Sequence, residues 1–373
     1  MKIAVNTRLL IKDKLEGLGS FTNETLKLIT RWHPEHEFIF IFDRKYSDEF
    51  IYNNNVKPVI TKPPARHPVL WYIFFEWGVP AVLKKYNADI FLSPDGWLSL
   101  NSNIPSLAVI HDLNFFHNPN WVSRIPRYYY NYYFPRFIHK ADRIASVSEY
   151  SKKDICNRFK VDPGKIDVVY NGVKEKYQPA LEEEKSRIRK IYTSGVPYFL
   201  FLGLVHPRKN LGNIIKSYEV FRNKTSENVK LVVAGSTKFW DEETRATYEN
   251  STYRSDILLL GRVADEELGI IISAAKALVY ASLFEGFGIP ILEAMQCNTP
   301  VITSTVTSMP EVGGDAVCYC DPYSVESISD AMLRVFSDEE YSRSLVMKGK
   351  EQLKKFSWEK TAQALWNSIE KLK

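Results

Sequence analysis

Tyr280-Ala281-Ser282-Leu283-Phe284-Glu285-Gly286-Phe287-Gly288-Ile289-Pro290-Ile291-Leu292-Glu293-Ala294-Met295 is the stretch on which the reading of this chain turns. The apolar run that ends at Tyr280 has the length and composition of a buried strand. A loop with two glycines follows. Pro290 then stands where a helix begins, at a first-turn position that tolerates its missing N–H. Strand, glycine loop and helix in this order form the repeating unit of an open parallel sheet, whose ligands bind beyond the carboxyl ends of the strands. Glycines leave main-chain N–H groups open, and the helix start adds partial positive charge, so the loop suits a sugar hydroxyl or a phosphate oxygen. Glu285 enters the loop and Glu293 lies one turn into the helix. Two carboxylates flanking an amide-lined loop can accept hydrogen bonds from two sets of hydroxyls. Taken singly, Glu285 is as readily a solvated loop residue, and Glu293 a first-turn acid that favours the dipole. The sixteen-residue pattern as a whole is far more specific.

Outward from this stretch, short apolar runs alternate with amphipathic ones along the whole chain. Strands are predicted over 3–6, 37–42, 89–92, 107–110, 143–147 and 167–170, with helices near 20–32, 71–86, 123–140 and 149–159. The rhythm breaks after Gly172. A charged helical stretch at 182–187 marks a boundary, and a second series follows, with strands over 198–202, 230–234, 257–260, 277–280, 300–303 and 317–319. The second-series helices lie near 210–222, 240–249, 265–274, 290–297, 324–336 and 338–354. A chain of 373 residues accommodates two domains. The expected fold class is α/β, with two doubly wound Rossmann-like domains facing an interdomain cleft. The expected boundaries are 1–173 for an N-terminal acceptor domain, 174–195 for a linker and 196–356 for a donor-nucleotide domain. A last helix over 357–373, capped by Ser357, carries an apolar stripe of Ala362, Leu365, Trp366 and Ile369 and is expected to pack back on the first domain.

Composition narrows the function classes. Hydrophobic residues make up 45% and charged residues 25% of the chain, as in ordinary globular proteins. No apolar run reaches the roughly 18 residues of a membrane span. Four cysteines are too few for a disulfide framework, and Cys318 and Cys320 have no second Cys/His pair at ligand spacing, so core packing is their expected role. Gly17-Leu18-Gly19 is a bare GxG, displaced from the first strand and lacking a third glycine, so no NAD site is expected. A cytoplasmic protein with reduced thiols fits. Residues 1–170 hold 23 Lys+Arg and 17 Asp+Glu, a net of +6, against a total of +5, so the positive excess lies in the first half. Such a surface suits an anionic membrane, nucleic acid or a phosphorylated acceptor.

Glu285, seven residues, then Glu293, with Gly286-Phe287-Gly288 between, resembles the E-x7-E signature of the retaining family 4 glycosyltransferases of GT-B fold (glycosyl transferases group 1). Further matching segments are Gly203-Leu204-Val205-His206-Pro207-Arg208-Lys209-Asn210, Ala234-Gly235, Gly261-Arg262-Val263, Thr299-Pro300-Val301-Ile302, His111-Asp112-Leu113, Val147-Ser148-Glu149-Tyr150-Ser151 and Tyr170-Asn171-Gly172-Val173. The resemblance covers nearly the whole chain. It implies that Glu293 binds the donor ribose, while Glu285 and the Gly286–Ile289 loop, through the amides of Phe287, Gly288 and Ile289, hold the donor sugar and diphosphate. It assigns Lys209 to the diphosphate, Val263 to the donor nucleotide, His111 to the donor sugar, and the loop at Gly19 to the phosphate and acceptor. A cation at a helix start opposes the dipole and makes more sense opposite an anion, which favours this role for Lys209. Many members carry an arginine directly after the glycine that corresponds to Gly203. Leu204 stands there in this chain, so Arg208, in the same loop, is the candidate substitute.

The resemblance implies transfer of a sugar from a GDP- or UDP-linked donor to a glycan or lipid-linked acceptor in polysaccharide or lipopolysaccharide biosynthesis. The Pro207-Arg208-Lys209-Asn210 loop is similar to that of mannosyltransferases, which points to GDP-mannose. Arg208 and Lys209 make a metal unnecessary, no Asp-x-Asp tripeptide is present, and neither a cofactor nor nucleic acid is expected. A sugar-nucleotide epimerase and a non-catalytic sugar-nucleotide-binding assembly partner are the rival readings. Turnover of donor without acceptor distinguishes the first, and donor hydrolysis the second. On the acceptor side, aromatic and cationic residues interleave over 66–77 and 124–136. Trp71, Arg124, Arg127 and Tyr128 are the candidates there for a membrane interface or a carbohydrate platform. A buried amphipathic helix with a basic edge is the alternative. Peripheral association with the inner face of the cell membrane is the expected location.

Overall fold

The computed structural model describes residues 1–15 and 17–373. The chain divides into two compact units, Met1–Asn171 with Trp358–Lys373, and Gly172–Ser357.

The first unit is built on seven strands, β1 (Lys2–Asn6), β2 (Glu37–Phe42), β3 (Val56–Ile60), β4 (Ile90–Ser93), β5 (Ser106–Ile110), β6 (Arg143–Ser146) and β7 (Ile166–Val168). Their order is β3-β2-β1-β4-β5-β6-β7, with every neighbouring pair parallel. The second unit holds β8 (Tyr198–Leu202), β9 (Lys230–Ala234), β10 (Ile257–Gly261), β11 (Ala277–Tyr280), β12 (Val301–Ser304) and β13 (Cys318–Cys320). That sheet is also parallel, in the order β10-β9-β8-β11-β12-β13. Helices cover both faces of each sheet, so its central strands are apolar without interruption, as Phe38-Ile39-Phe40-Ile41-Phe42 and Tyr198-Phe199-Leu200-Phe201-Leu202 show. Strand order reverses between β1 and β4 and between β8 and β11, which creates one topological switch point per sheet.

Several elements differ from the expectation, among them the short helices Asn114–His117 and Met309–Gly313, which are not among those expected. β3 has no counterpart in the predicted strands, because Lys57 and Pro58 interrupt its apolar run. It lies at the sheet edge, where a proline's missing N–H costs no ladder bond. The helix expected over 71–86 is two helices, Pro68–Ile73 and Val79–Tyr86, joined by a wide turn at Phe74–Gly78. Pro80 cannot donate back to Glu76, so the ladder loosens just before it. The stretch 174–195, expected as a linker, belongs to the second unit. It contains the helix Glu182–Thr193, which buries Ile188 and is tied to the helix Asp265–Ala274 by a Tyr192–Glu267 hydrogen bond of 2.9 Å.

The last helix, Trp358–Glu370, lies in the first unit against Gly17–Trp32. It buries the stripe of Ala362, Leu365, Trp366 and Ile369, and the Trp366 ring stacks on His33 at 3.6 Å.

Candidate active site

The second unit's switch point sets two loops side by side. β8 ends at Leu202 and leads through Gly203–Asn210 to the helix Leu211–Lys224, and β11 ends at Tyr280 and leads to the helix Ile289–Gln296. The Leu283 N–H donates to the Arg208 carbonyl at 2.8 Å. Asn210, buried and left-handed at φ 63°, donates to the carbonyls of Ala281 at 3.0 Å and Pro322 at 2.7 Å. Gly203 and Gly235, with φ of 129° and 153°, let the turns after β8 and β9 touch. A Cβ at Gly235 would run into the Gly203 carbonyl.

This adjacency brings three charges together. One oxygen of buried Glu285 lies 2.6 Å from the Lys209 ammonium, and the other pairs with the Arg208 guanidinium. Lys209 also donates to the Tyr280 hydroxyl at 2.6 Å. Burial pushes the Glu285 carboxyl up, but the charges of Arg208 and Lys209 outweigh it and hold the group at about 2. Burial pulls the Lys209 ammonium down to about 8, against the opposing pull of Glu285.

The loop around Glu285 is braced from β12. The Ser308 hydroxyl lies 2.9 Å from the Glu285 carbonyl and 3.0 Å from that of Phe287, and Thr307 accepts the Glu285 N–H at 3.3 Å. The buried Phe287 ring packs edge-on against Phe356. Gly288, at φ 105°, is the cap of the helix Ile289–Gln296, and a Cβ there would meet the Met309 methyl at 2.9 Å. Among the described residues, no acceptor takes the N–H of Gly288 or Ile289. Glu293, half-buried one turn in, has no side-chain hydrogen bond among the described residues. Burial raises its carboxyl to about 7, against the charges of Lys174 and Lys209. The site therefore combines two cations, open helix-start amides and a carboxylate poised to accept from a diol.

The remaining candidates sit on other elements. Val263 follows β10 at the far edge of the second sheet, two strands from the switch point. Gly19 is not in a loop: it sits in the first turn of Gly17–Trp32, where its missing side chain admits the Leu9 carbonyl at 3.0 Å from a Cβ position. His111 follows β5. Its Nε2 donates to the Pro94 carbonyl at 2.8 Å, which leaves Nδ1 as an acceptor, and burial lowers its pKa. Trp71 is half-buried. Its indole donates to the Ala65 carbonyl at 2.9 Å and its rings pack against Trp97, Tyr129 and Tyr130. Arg127 is tied to Pro119 and Asn120, whereas Arg124 and Tyr128 are exposed. Tyr280, Thr307 and Ser308 were not singled out from the sequence, since an aromatic ending a strand reads as core. Among the described residues no three His, Cys, Asp or Glu side chains gather as a metal site, and Cys318 and Cys320 are buried in β13.

The sequence model for glycosyl transferases group 1 matches residues 182–352, and that for Glycosyltransferase Family 4 matches residues 25–177. The O-antigen chain mannosyltransferase B of Escherichia coli is 31% identical over 278 residues, 74% of this chain and 73% of that protein. The O-antigen chain mannosyltransferase RfbU of Salmonella typhimurium is 28% identical over 282 residues, 75% of this chain and 74% of that protein. Among solved structures, Anabaena Alr3699/HepE in complex with UDP-glucose is similar in fold, with a TM-score of 0.76 and 14% identity over all of both chains. With two Rossmann-like units and these matches in each half, the chain belongs to the family 4 glycosyltransferases of GT-B fold, the glycosyl transferases group 1.

Proposed function

We propose that this glycosyltransferase moves mannose from GDP-mannose to an acceptor hydroxyl, with retention of anomeric configuration, during assembly of a cell-surface polysaccharide. The observation that carries the reading is the Arg208–Glu285–Lys209 cluster at the β8/β11 switch point, whose cations, beside the helix-start amides of Gly288 and Ile289, suit an anion. A nucleoside diphosphate supplies one, and its ribose diol suits the uncommitted Glu293 carboxylate. Mannose is the sugar named for the Escherichia coli and Salmonella relatives. A nucleotide-sugar donor also agrees with the ligand in the Anabaena structure.

Charge develops on the β-phosphate as the bond from the sugar to its oxygen breaks. The Lys209 ammonium and the amides of Gly288 and Ile289 stabilise that charge without reorganising. The acceptor oxygen bonds to the anomeric carbon on the face the phosphate leaves, and its proton passes to the departing phosphate oxygen. On the first unit, His111 is kept neutral by burial, and its Nδ1 is left as an acceptor for a hydroxyl. Arg208 and Lys209 supply positive charge in place of a metal, so transfer is expected to persist in EDTA.

The membrane contact is proposed on the same unit as the acceptor. Among the described residues no helix is long and apolar enough to cross a membrane. Trp77, in the wide turn at Phe74–Gly78, and Tyr128, on the helix Arg124–Lys140, are 61% and 76% exposed, and with exposed Arg66 and Arg124 they suit an anionic bilayer surface.

Thermal unfolding with GDP-mannose, UDP-glucose and ADP-glucose tests the donor. A ligand at about a hundred times its Kd stabilises by about 2.7 kcal/mol. GDP-mannose is expected to give the largest shift. A larger shift with another nucleotide overturns the mannose assignment, and no shift with any of them overturns the donor site.

A further inference from the structure

The first unit's own switch point, between β1 and β4, carries a built polar cluster. β1 runs on into Thr7 and Arg8, and β4 into Pro94 and Asp95. The Asp95 carboxylate is 3% exposed. One of its oxygens accepts from Asn6 at 2.8 Å, the Ser93 hydroxyl at 3.0 Å and the Trp97 N–H at 3.3 Å. The other accepts Arg8 Nε at 2.7 Å. The Arg8 side chain is 10% exposed, and its guanidinium carbon lies 4.6 Å from the Trp97 ring centre and 5.5 Å from that of Phe75. Tyr129 and Tyr130 complete the aromatic surround beside Trp97.

The pairing with Asp95 uses Nε alone. Among the described residues the two terminal amino groups of the guanidinium have no hydrogen-bond partner. Neutralising Asp95 requires no more than the one contact, and its remaining needs are met by three neutral donors. What is left over is a planar fork of N–H groups, held in orientation by a carboxylate behind it and rings beside it. That arrangement matches the two oxygens of a phosphate or carboxylate. The net +6 of residues 1–170 attracts the same kind of group.

We propose that Arg8 is the recognition residue for an oxyanion, a phosphate ester or a carboxylate, carried by the acceptor. That the oxyanion belongs to an acceptor rests on the transferase reading above; the anion site itself does not. In the full-length protein, the Arg8 Nε–H resonance is assigned by its loss in Arg8→Lys, and inorganic phosphate, acetate and chloride are titrated at constant ionic strength. Saturable shifts of the Arg8 signal and of the Trp97 indole N–H are expected with phosphate or acetate but not chloride. A stronger response to phosphate assigns a phosphate ester, and a stronger response to acetate a carboxylate. In Arg8→Gln, affinity read at Trp97 is expected to fall about ten- to a hundredfold. Should Arg8→Gln fail to fold, Arg8→Lys keeps the charge against Asp95 but lacks the fork, and it is expected to lose several-fold. An Arg8 signal unmoved by both anions, or anion binding at Trp97 that survives either substitution unchanged, overturns the proposal. Absence of nucleotide binding to the second unit instead overturns the donor reading and leaves the Arg8 result standing.

Discussion

Single carboxylates in this protein are tuned in opposite directions by what surrounds them. Glu285 is held at about 2 by two cations, whereas Glu293, eight residues on, is raised to about 7 by burial with little to offset it. For Glu293 the folded value exceeds the ordinary 4.5, so its contribution to stability is complete below pH 4.5 and is lost as pH rises toward 7. At pH 8 the fold holds a carboxylate that it disfavours. Glu293→Gln is therefore expected to raise the melting temperature at pH 8 by about 2–4 °C, the effect of about 1 kcal/mol in a unit of this size. The same substitution weakens nucleotide binding, and at pH 4 the two proteins melt alike. Scanning calorimetry at both pH values, with and without nucleotide, checks all three outcomes. In the proposed roles, a ribose would select the Glu293 carboxylate and a diphosphate the Lys209 ammonium, which is lowered to about 8. Nucleotide affinity is thus expected to be highest between about pH 7 and 8 and to fall on either side. Lys209→Ala is expected to lower turnover about ten- to a hundredfold, with a smaller loss of nucleotide affinity. Steady-state kinetics beside nucleotide titration separates the two effects.

At the scale of elements, the site depends on loops that glycines allow to touch. Gly235→Ala forces a Cβ into the Gly203 carbonyl at a φ that side chains avoid, so the turn that aims Lys209 must shift. A loss of about 2–6 kcal/mol is expected, combining backbone strain and overpacking, and denaturant unfolding measures it. Such contacts explain which parts of the structure were legible in the sequence. Periodicity locates β2, β8, β9 and β11, because strands buried on both faces are continuous apolar runs bounded by turn residues. It misses β3, since an edge strand tolerates Lys57 and Pro58, and it misses the wide turn at Phe74–Gly78, since hydrophobic spacing does not register one extra residue in a turn. The family resemblance singles out Glu285, in the E-x7-E motif, and Lys209, in the 203–210 segment, which the structure sets 2.6 Å apart. The Ser308 brace and the Arg208–Glu285 pair join residues that lie far apart along the chain, and sequence spacing carries no signal for them. Trp71 misleads for the converse reason. An aromatic on an amphipathic helix looks alike whether it faces lipid or, as here, other rings.

Over the whole molecule, the positive excess and one group of exposed apolar side chains fall together on the first unit. The net +6 of residues 1–170 stands against −1 for the remainder, since the total is +5. The exposed Val69, Trp77, Ile125 and Tyr128 belong to the same region. Each basic residue near an anionic leaflet contributes about 1 kcal/mol, and this attraction decays within a Debye length of about 8 Å at physiological salt. Interfacial insertion of a tryptophan or tyrosine ring is governed by apolar area and is not screened. The two contributions are therefore separable by salt. The purified protein is expected to float with vesicles of phosphatidylglycerol at low salt, and raising the salt is expected to weaken binding without abolishing it. Arg124→Glu should remove the salt-sensitive part, and Trp77→Ser with Tyr128→Ser the salt-resistant part. Neither change touches the second unit, so nucleotide-induced stabilisation is expected to remain at its wild-type value in both. Binding to neutral phosphatidylcholine vesicles as tight as to anionic ones would show that charge has no part in it. Absence of flotation at low salt would remove the bilayer as a partner and leave the exposed rings available to a glycan instead.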